Sequence, residues 1–365
     1  MRRRHVYLDL LKTLAMVCVC MYHFPMIQHT AYARPFGLDV LCLRFFRAFN
    51  AVCVPLFMMV NGALVLNRPF CFKKHASRCF FLLIGVYVWY VLTQVLGHAW
   101  QSGWSYVAEN WAGILRSAQY LYEYDGIGTS HLWFVQMLVA IYLIVPVIYA
   151  GIESKDGQIQ QGMLFLLGAM GFLAFLLQDI SHVRAAVPVL RSLDFSALET
   201  INPLRGMYGA MLVYFVLGGL MHRRRAQIAR IPLWVSLSVI ATGWLILFAE
   251  WYLVTIRTEA MYDIVYGGYN CLPTLMMSMG LFAAAARLEE KLALGEGKLG
   301  RMLALIGRNT LAVYYLHWIL GLTLLQLVSV PGNFSVNLVK AVVMVLVCSL
   351  AGEGLRRVPL LRCLL

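Results

Sequence analysis

The sequence predicts an all-α fold, a polytopic membrane helical bundle of about ten transmembrane helices with both termini cytoplasmic. Three observations predict it. The 365 residues are 61% hydrophobic and only 13% charged, with a mean hydropathy of +0.73, beyond the range of an ordinary soluble domain. Apolar runs of about 20 residues, the length that crosses a hydrocarbon core, recur along the chain. Lys and Arg are distributed very unequally between alternate connections, which orients such a bundle.

The expected spans fall near residues 6–27, 46–66, 77–97, 131–150, 162–179, 206–221, 231–251, 271–287, 302–326 and 334–352. The first follows Arg2, Arg3 and Arg4, and the second stops at Asn67, Arg68 and Pro69. The third follows FKKHASR, the fourth is HLWFVQMLVAIYLIVPVI, and the fifth is GMLFLLGAMGFLAFLLQD. The sixth ends at His222 and the arginine run 223–225, and the seventh begins behind Arg230. The eighth runs into Arg287, the ninth contains IGRNTLAVYYLHWIL, and the tenth precedes the basic tail Arg356, Arg357 and Arg362. No soluble segment separates these runs, so residues 1–365 are expected to form one integral-membrane domain.

Charge sets the orientation. One side collects Arg2, Arg3, Arg4, Arg68, Lys73, Lys74, Arg78, Lys155, Arg223, Arg224, Arg225, Arg230, Arg287, Lys291, Lys298, Arg301, Arg356, Arg357 and Arg362. The other holds Arg34, Arg44, Arg47, Arg116, Arg184, Arg191, Arg205 and Arg257. The richer side is cytoplasmic by the positive-inside bias, which also explains most of the net charge of +13 without a nucleic-acid partner. Arg2–Arg4, the apolar run and Ala31-Tyr32-Ala33 also have the outline of a signal peptide, but the run is long enough to be retained as a span.

Three connections on the outer side are long, roughly 28–45, 98–130 and 180–205. The second carries Trp100, Trp104, Tyr106, Trp111, Tyr120, Tyr122 and Tyr124, interleaved with Glu109, Glu123 and Asp125. Such a set is either an interfacial aromatic belt or a platform on which sugar rings stack. No internal repeat of the kind found in secondary transporters is visible. The nine cysteines lack the paired spacing of a zinc site, so they read as packing residues and no metal is expected.

Ionisable groups at membrane depth are expensive and are functional candidates by default. The first span holds Asp9, Lys12 and His23, whose spacings of three and eleven place them near one helical face. Lys12 and His23 stand about 16 Å apart, and His23 lies about 25 Å along the helix. Asp9 and Lys12 are expected to form a structural ion pair, while Pro25 would kink the helix beside His23 and suit a site lining a cavity. His131, at the start of the fourth span, and His317, in the ninth, are expected at similar depth. Either histidine is a packing contact or part of one polar cavity. Lys73, Lys74, His75 and Arg78 open the third span, where a basic cluster satisfies the positive-inside bias or clamps a phosphate at a helix N-terminus.

Four segments together resemble the acyltransferase-3 family of integral-membrane O-acyltransferases. These are YLDLLKTLAMVCVCMYH, VPLFMMVNGALVLNRPFCFKKHASR, HLWFVQMLVAIYLIVPVI and IGRNTLAVYYLHWIL, in family order along nearly the whole chain. The family's first helix carries an acidic residue, a basic residue and, eleven further on, an essential histidine, which fall here on Asp9, Lys12 and His23. Two positions depart from the family. Lysine stands at residue 12 where arginine is usual, and of the paired arginines at the third helix only the second is kept, as Arg78 beside His75. Lysine binds phosphate as a point charge without the bidentate fork.

The resemblance implies a bacterial cytoplasmic (inner) membrane protein that passes an acyl group, acetyl or succinyl, from cytoplasmic acyl-CoA to a hydroxyl of a surface polysaccharide or lipid-linked oligosaccharide. It implies catalysis by His23, as general base or as acyl-carrying nucleophile. It implies acyl-CoA binding by Lys12, Lys74, His75 and Arg78, and a supporting or acceptor-orienting role for His131, His317 and Trp133. Acetyl-CoA is then a cosubstrate, with no permanently bound cofactor and no nucleic acid. Many relatives carry a fused extracytoplasmic hydrolase-like domain, and this chain resembles the stand-alone members. The alternative reading is a transporter of a sugar or lipid-linked glycan, for which intramembrane charge and outer aromatics are equally natural.

Overall fold

A computed structural model of the chain describes residues 4–23, 37–121, 127–292, 297–327 and 334–365. Helices and their connecting turns account for these residues, and no strand occurs among them. Pro25, the Ala31–Ala33 segment, Tyr122, Glu123, Tyr124 and Asp125 lie outside the described residues.

The principal helices are α1 (Val6–His23), α2 (Leu38–Phe49), α3 (Cys53–Val65), α4 (Phe72–Tyr120), α5 (Trp133–Ile152), α6 (Gly157–Phe165), α7 (Gly171–Arg184), α8 (Gly206–Arg223), α9 (Leu233–Thr258), α10 (Leu272–Leu292), α11 (Gly297–Arg308), α12 (Thr310–Leu327) and α13 (Phe334–Leu355). Among the described residues, seven helical runs are long and apolar enough to cross a membrane: Val6–His23, Val40–Val65, Phe72–Tyr120, Ser130–Ile152, Gly157–Arg184, Leu233–Thr258 and Phe334–Leu355. The remaining three expected spans are helical as well. The first of them, α8, is rich in glycine and ends in His222-Arg223, and the second, α10, ends in Arg287, Glu289 and Glu290. The third is divided at Asn309 into α11 and α12.

The chain divides into two compact units. The first comprises Met1–Pro69, Val147–Gly307 and Gly332–Ala341, and the second Phe70–Pro146, Arg308–Pro331 and Val342–Leu365. In the first unit α1, α3 and α8 pack around Tyr7, Met16, Leu56, Met58 and Phe215, all fully buried. Lipid supplies no hydrophobic drive between helices, so close backbone approach replaces it. Gly62 and Gly218 provide that approach between α3 and α8, because a β-carbon at either would overlap the backbone of Phe215 or Met59. The start of α1 is capped from α10, where Glu289 Oε1 accepts the Val6 N–H at 2.5 Å and the Tyr7 N–H at 3.3 Å. This satisfies two of the donors that every helix start leaves open.

In the second unit, α4 departs from the expected span with a long outer loop. The helix continues through the aromatic segment to Tyr120, turning only at Gly103, whose φ of 87° and ψ of 165° are conformations open to glycine. Residues 104–120 fold as helix because Val107, Ile114 and Ala118 fall on one buried face. The Tyr90 hydroxyl donates to Ser117 Oγ at 2.8 Å and ties the two halves together. His98 stacks on Tyr106 across the turn, with ring centroids 5.1 Å apart. Trp100, Trp104, Trp111 and Tyr120 remain exposed.

Candidate active site

At its first turn α1 buries a carboxylate between cations. Asp9 is 4% exposed. Arg4 Nε lies 2.5 Å from its Oδ2, and Lys12 Nζ lies 3.9 Å from its Oδ1. Both cations are anchored a second time on α11, Arg4 donating to Ala304 O at 2.8 Å and Lys12 to Gly307 O at 3.0 Å. Residue 307 must lack a side chain, since a β-carbon there would run into the Asp9 carboxylate. Asp9 and Lys12 therefore meet, and Arg4, which sequence spacing did not single out, is the nearer partner. Lys12 keeps part of its ammonium, three N–H groups in all, beyond the one donated to Gly307.

His23 is the last residue of α1 and is half-buried. Its ring meets Tyr22 edge-on, with centroids 5.0 Å apart. Tyr22 is itself fixed on two sides. Its hydroxyl donates to Asp263 Oδ2 at 2.6 Å, and the Arg47 guanidinium lies over its ring at 5.1 Å from the centroid. Asp263 is shaped for this by its own turn, accepting the Val265 N–H at 2.9 Å through Oδ1. One turn before Arg47 on α2, the buried Arg44 covers the Trp251 ring at 5.5 Å. An imidazole at a helix end, beside a phenol pinned by a carboxylate and an arginine, has the chemistry for proton transfer to or from a hydroxyl.

The second unit brings His131 and His317 together. Their rings meet edge to face with centroids 5.4 Å apart, and both side chains are buried. Trp318 stacks on His131 at 5.4 Å, and the Tyr314 hydroxyl donates to the His131 carbonyl. His317 Nδ1–H donates to Val313 O at 3.1 Å, which makes Nε2 its acceptor nitrogen. Trp133 begins α5 two residues after His131 and is half-buried.

The basic opening of α4 is divided in role. Lys73, Lys74 and Arg78 are exposed, whereas His75 Nε2–H donates to Tyr142 O at 2.7 Å and its ring packs on Tyr142. The helix start carries no side-chain cap at Cys71, and the partial positive charge of its first N–H groups adds to that of the cations on the same turns.

The acyltransferase-3 family model, described as an acyltransferase domain, matches residues 5–353. The chain belongs to the acyltransferase-3 family. No curated protein and no solved structure matches it.

This acyltransferase is thus an integral-membrane enzyme whose family match runs through both units and takes in every candidate residue except Arg4. Sequence reasoning passed over Tyr22, Arg44, Arg47 and Asp263. Arg44 and Arg47 do carry a signal, two cations one turn apart beside an apolar run, which is hard to tell from ordinary connection charge. Tyr22 and Asp263 are 241 residues apart in the chain, and nothing short of the fold relates them.

Proposed function

We propose that this acyltransferase moves an acyl group, acetyl or succinyl, from cytoplasmic acyl-CoA to a hydroxyl of a surface polysaccharide or lipid-linked sugar, with His23 as the reacting imidazole. The observation that carries the reading is the arrangement of α1. One end holds the Arg4, Asp9 and Lys12 charges, and the other presents His23 beside a tyrosine fixed by Asp263. Membership of the family supports the reaction class.

In this reading His23 takes the proton of the acceptor hydroxyl as its oxygen attacks the thioester carbonyl carbon. The tetrahedral adduct collapses by breaking the C–S bond, and the imidazolium returns its proton to the departing thiolate of coenzyme A. Atoms and charge balance without any further reactant. General-base help of this kind contributes roughly 10²–10⁴-fold. Lys12 serves the donor from α1 itself, about 16 Å along the helix from His23, a separation suited to an extended pantetheine arm. Lys74 and Arg78 recruit coenzyme phosphates at the start of α4, Lys74 as a point charge and Arg78 through its fork. His75, tied to Tyr142 O, shapes that helix start.

Purified protein in lipid should release free thiol from acetyl-CoA or succinyl-CoA when a glycan acceptor is supplied, and the acceptor should gain the acyl mass. Movement of an unmodified glycan across a proteoliposome membrane, with no thiol released, would favour transport instead.

A further inference from the structure

The first unit also brings together donor atoms of a kind that the sequence, lacking paired cysteines, gave no reason to join. His182 Nδ1 on α7 lies 3.4 Å from Cys271 Sγ, the residue before α10. One ligand atom each from His182, Cys271 and Glu250, the last on α9, lie within 4.8 Å of one another. Asp179, one turn before His182, accepts the Leu272 N–H through Oδ2 at 3.1 Å and contacts the Cys271 thiol. Asp179 Oδ1, Glu250 Oε2 and the Tyr262 hydroxyl are buried without a hydrogen-bond partner among the described residues. Neither carboxylate forms an ion pair with Lys or Arg among those residues.

Two half-buried carboxylates beside a thiol, each with one oxygen shut off from solvent and no Lys or Arg paired to it among the described residues, are costly. A bound cation removes the cost. The chemistry of the set is informative, because imidazole, thiolate and carboxylate together suit zinc, whereas calcium and magnesium take oxygen alone. Ligand atoms around tetrahedral zinc stand about 3.5 Å apart, the separation His182 and Cys271 already have. The 4.8 Å limit of the group asks for about 1 Å of side-chain closure.

We propose that His182, Glu250 and Cys271, with Asp179 set against the Cys271 thiol, form a site for a divalent transition-metal ion of the zinc type, which staples α7, α9 and the start of α10. Cys271 binds as thiolate and gives its proton to solvent as the metal enters. With the metal on Nδ1, His182 keeps its hydrogen on Nε2, where Gln178 stands 2.9 Å away. Gln178 accepts that hydrogen with its amide turned so that oxygen faces the ring, and Asn270, 2.9 Å from Gln178, turns in step. The staple fixes the end of the 259–271 connection, whose Asp263 receives Tyr22.

The test uses full-length, tag-free protein in lipid nanodiscs, stripped with a chelator and titrated with cobalt(II) and with zinc. The proposal expects one cobalt ion per chain with thiolate-to-cobalt absorption in the near ultraviolet, absent from Cys271→Ser. Glu250→Gln should weaken zinc binding at least tenfold. Gln178→Leu, which removes no ligand, should keep the cobalt band and weaken affinity by about 10–100-fold. Absence of the thiolate band from the wild type overturns the proposal whatever the variants do. So does a band that survives in Cys271→Ser, or unchanged zinc affinity in monodisperse Glu250→Gln and Gln178→Leu proteins.

Discussion

The Tyr22 hydroxyl donates to Asp263 Oδ2 across 2.6 Å and so holds the residue next to His23 from a connection 241 residues later in the chain. Tyr22 does not need to touch substrate to matter, because a misplacement of the imidazole by an ångström is enough to slow transfer. Tyr22→Phe should lower kcat about tenfold while the KM for acyl-CoA and the folded yield stay near wild type. Asp263→Ala should do the same, and Asp263→Asn, which keeps an acceptor oxygen, should recover most of the rate. Steady-state kinetics with each variant checks the split.

Glu289 makes a separate prediction about stability. Its carboxylate closes the start of α1 by accepting from Val6 and Tyr7, as a capping side chain does from within a helix. Glu289→Ala should destabilise the protein by about 1–2 kcal/mol, with Glu289→Gln intermediate. Thermal unfolding of the three proteins in one detergent measures it.

The His131 ring fills space between His317 and Trp318. His131→Ala should therefore open a cavity and destabilise by about 2–4 kcal/mol. The same variant read by folded yield on size exclusion separates packing from chemistry. A large drop in yield marks a packing role, and a normal yield with lost transfer marks a role at the acceptor.

Lys74 and Arg78 are exposed cations at an uncapped helix start, so their contribution to donor binding should be electrostatic. Replacing both by Ala should raise the KM for acyl-CoA about tenfold and leave kcat unchanged. The difference from wild type should shrink as salt is added.

Composition and span length were enough to read helices and membrane from the sequence, and four motif segments carried the resemblance to the family, because those signals are local or repeated. The α1 face was legible for the same reason, since Asp9, Lys12 and His23 share one helix. Three things were not. The aromatic stretch after His98 read as a loop, yet Val107, Ile114 and Ala118 give it a buried helical face, a weak periodicity hidden among tryptophans and polar residues. The meeting of His131 with His317, and of Tyr22 with Asp263, depends on tertiary packing that no spacing encodes. The grouping of His182, Glu250 and Cys271, with Asp179 beside it, is of this kind too, α7, α9 and the residue before α10 contributing side chains that look unrelated in the chain.

The most direct measurement is of acyl transfer and acyl-CoA binding by His23→Ala, compared with wild type in the same lipid. The account predicts acyl-CoA binding within about twofold of wild type, with thiol release and acceptor acylation lowered by at least 10². A His23→Ala protein that transfers the acyl group at the wild-type rate would contradict it.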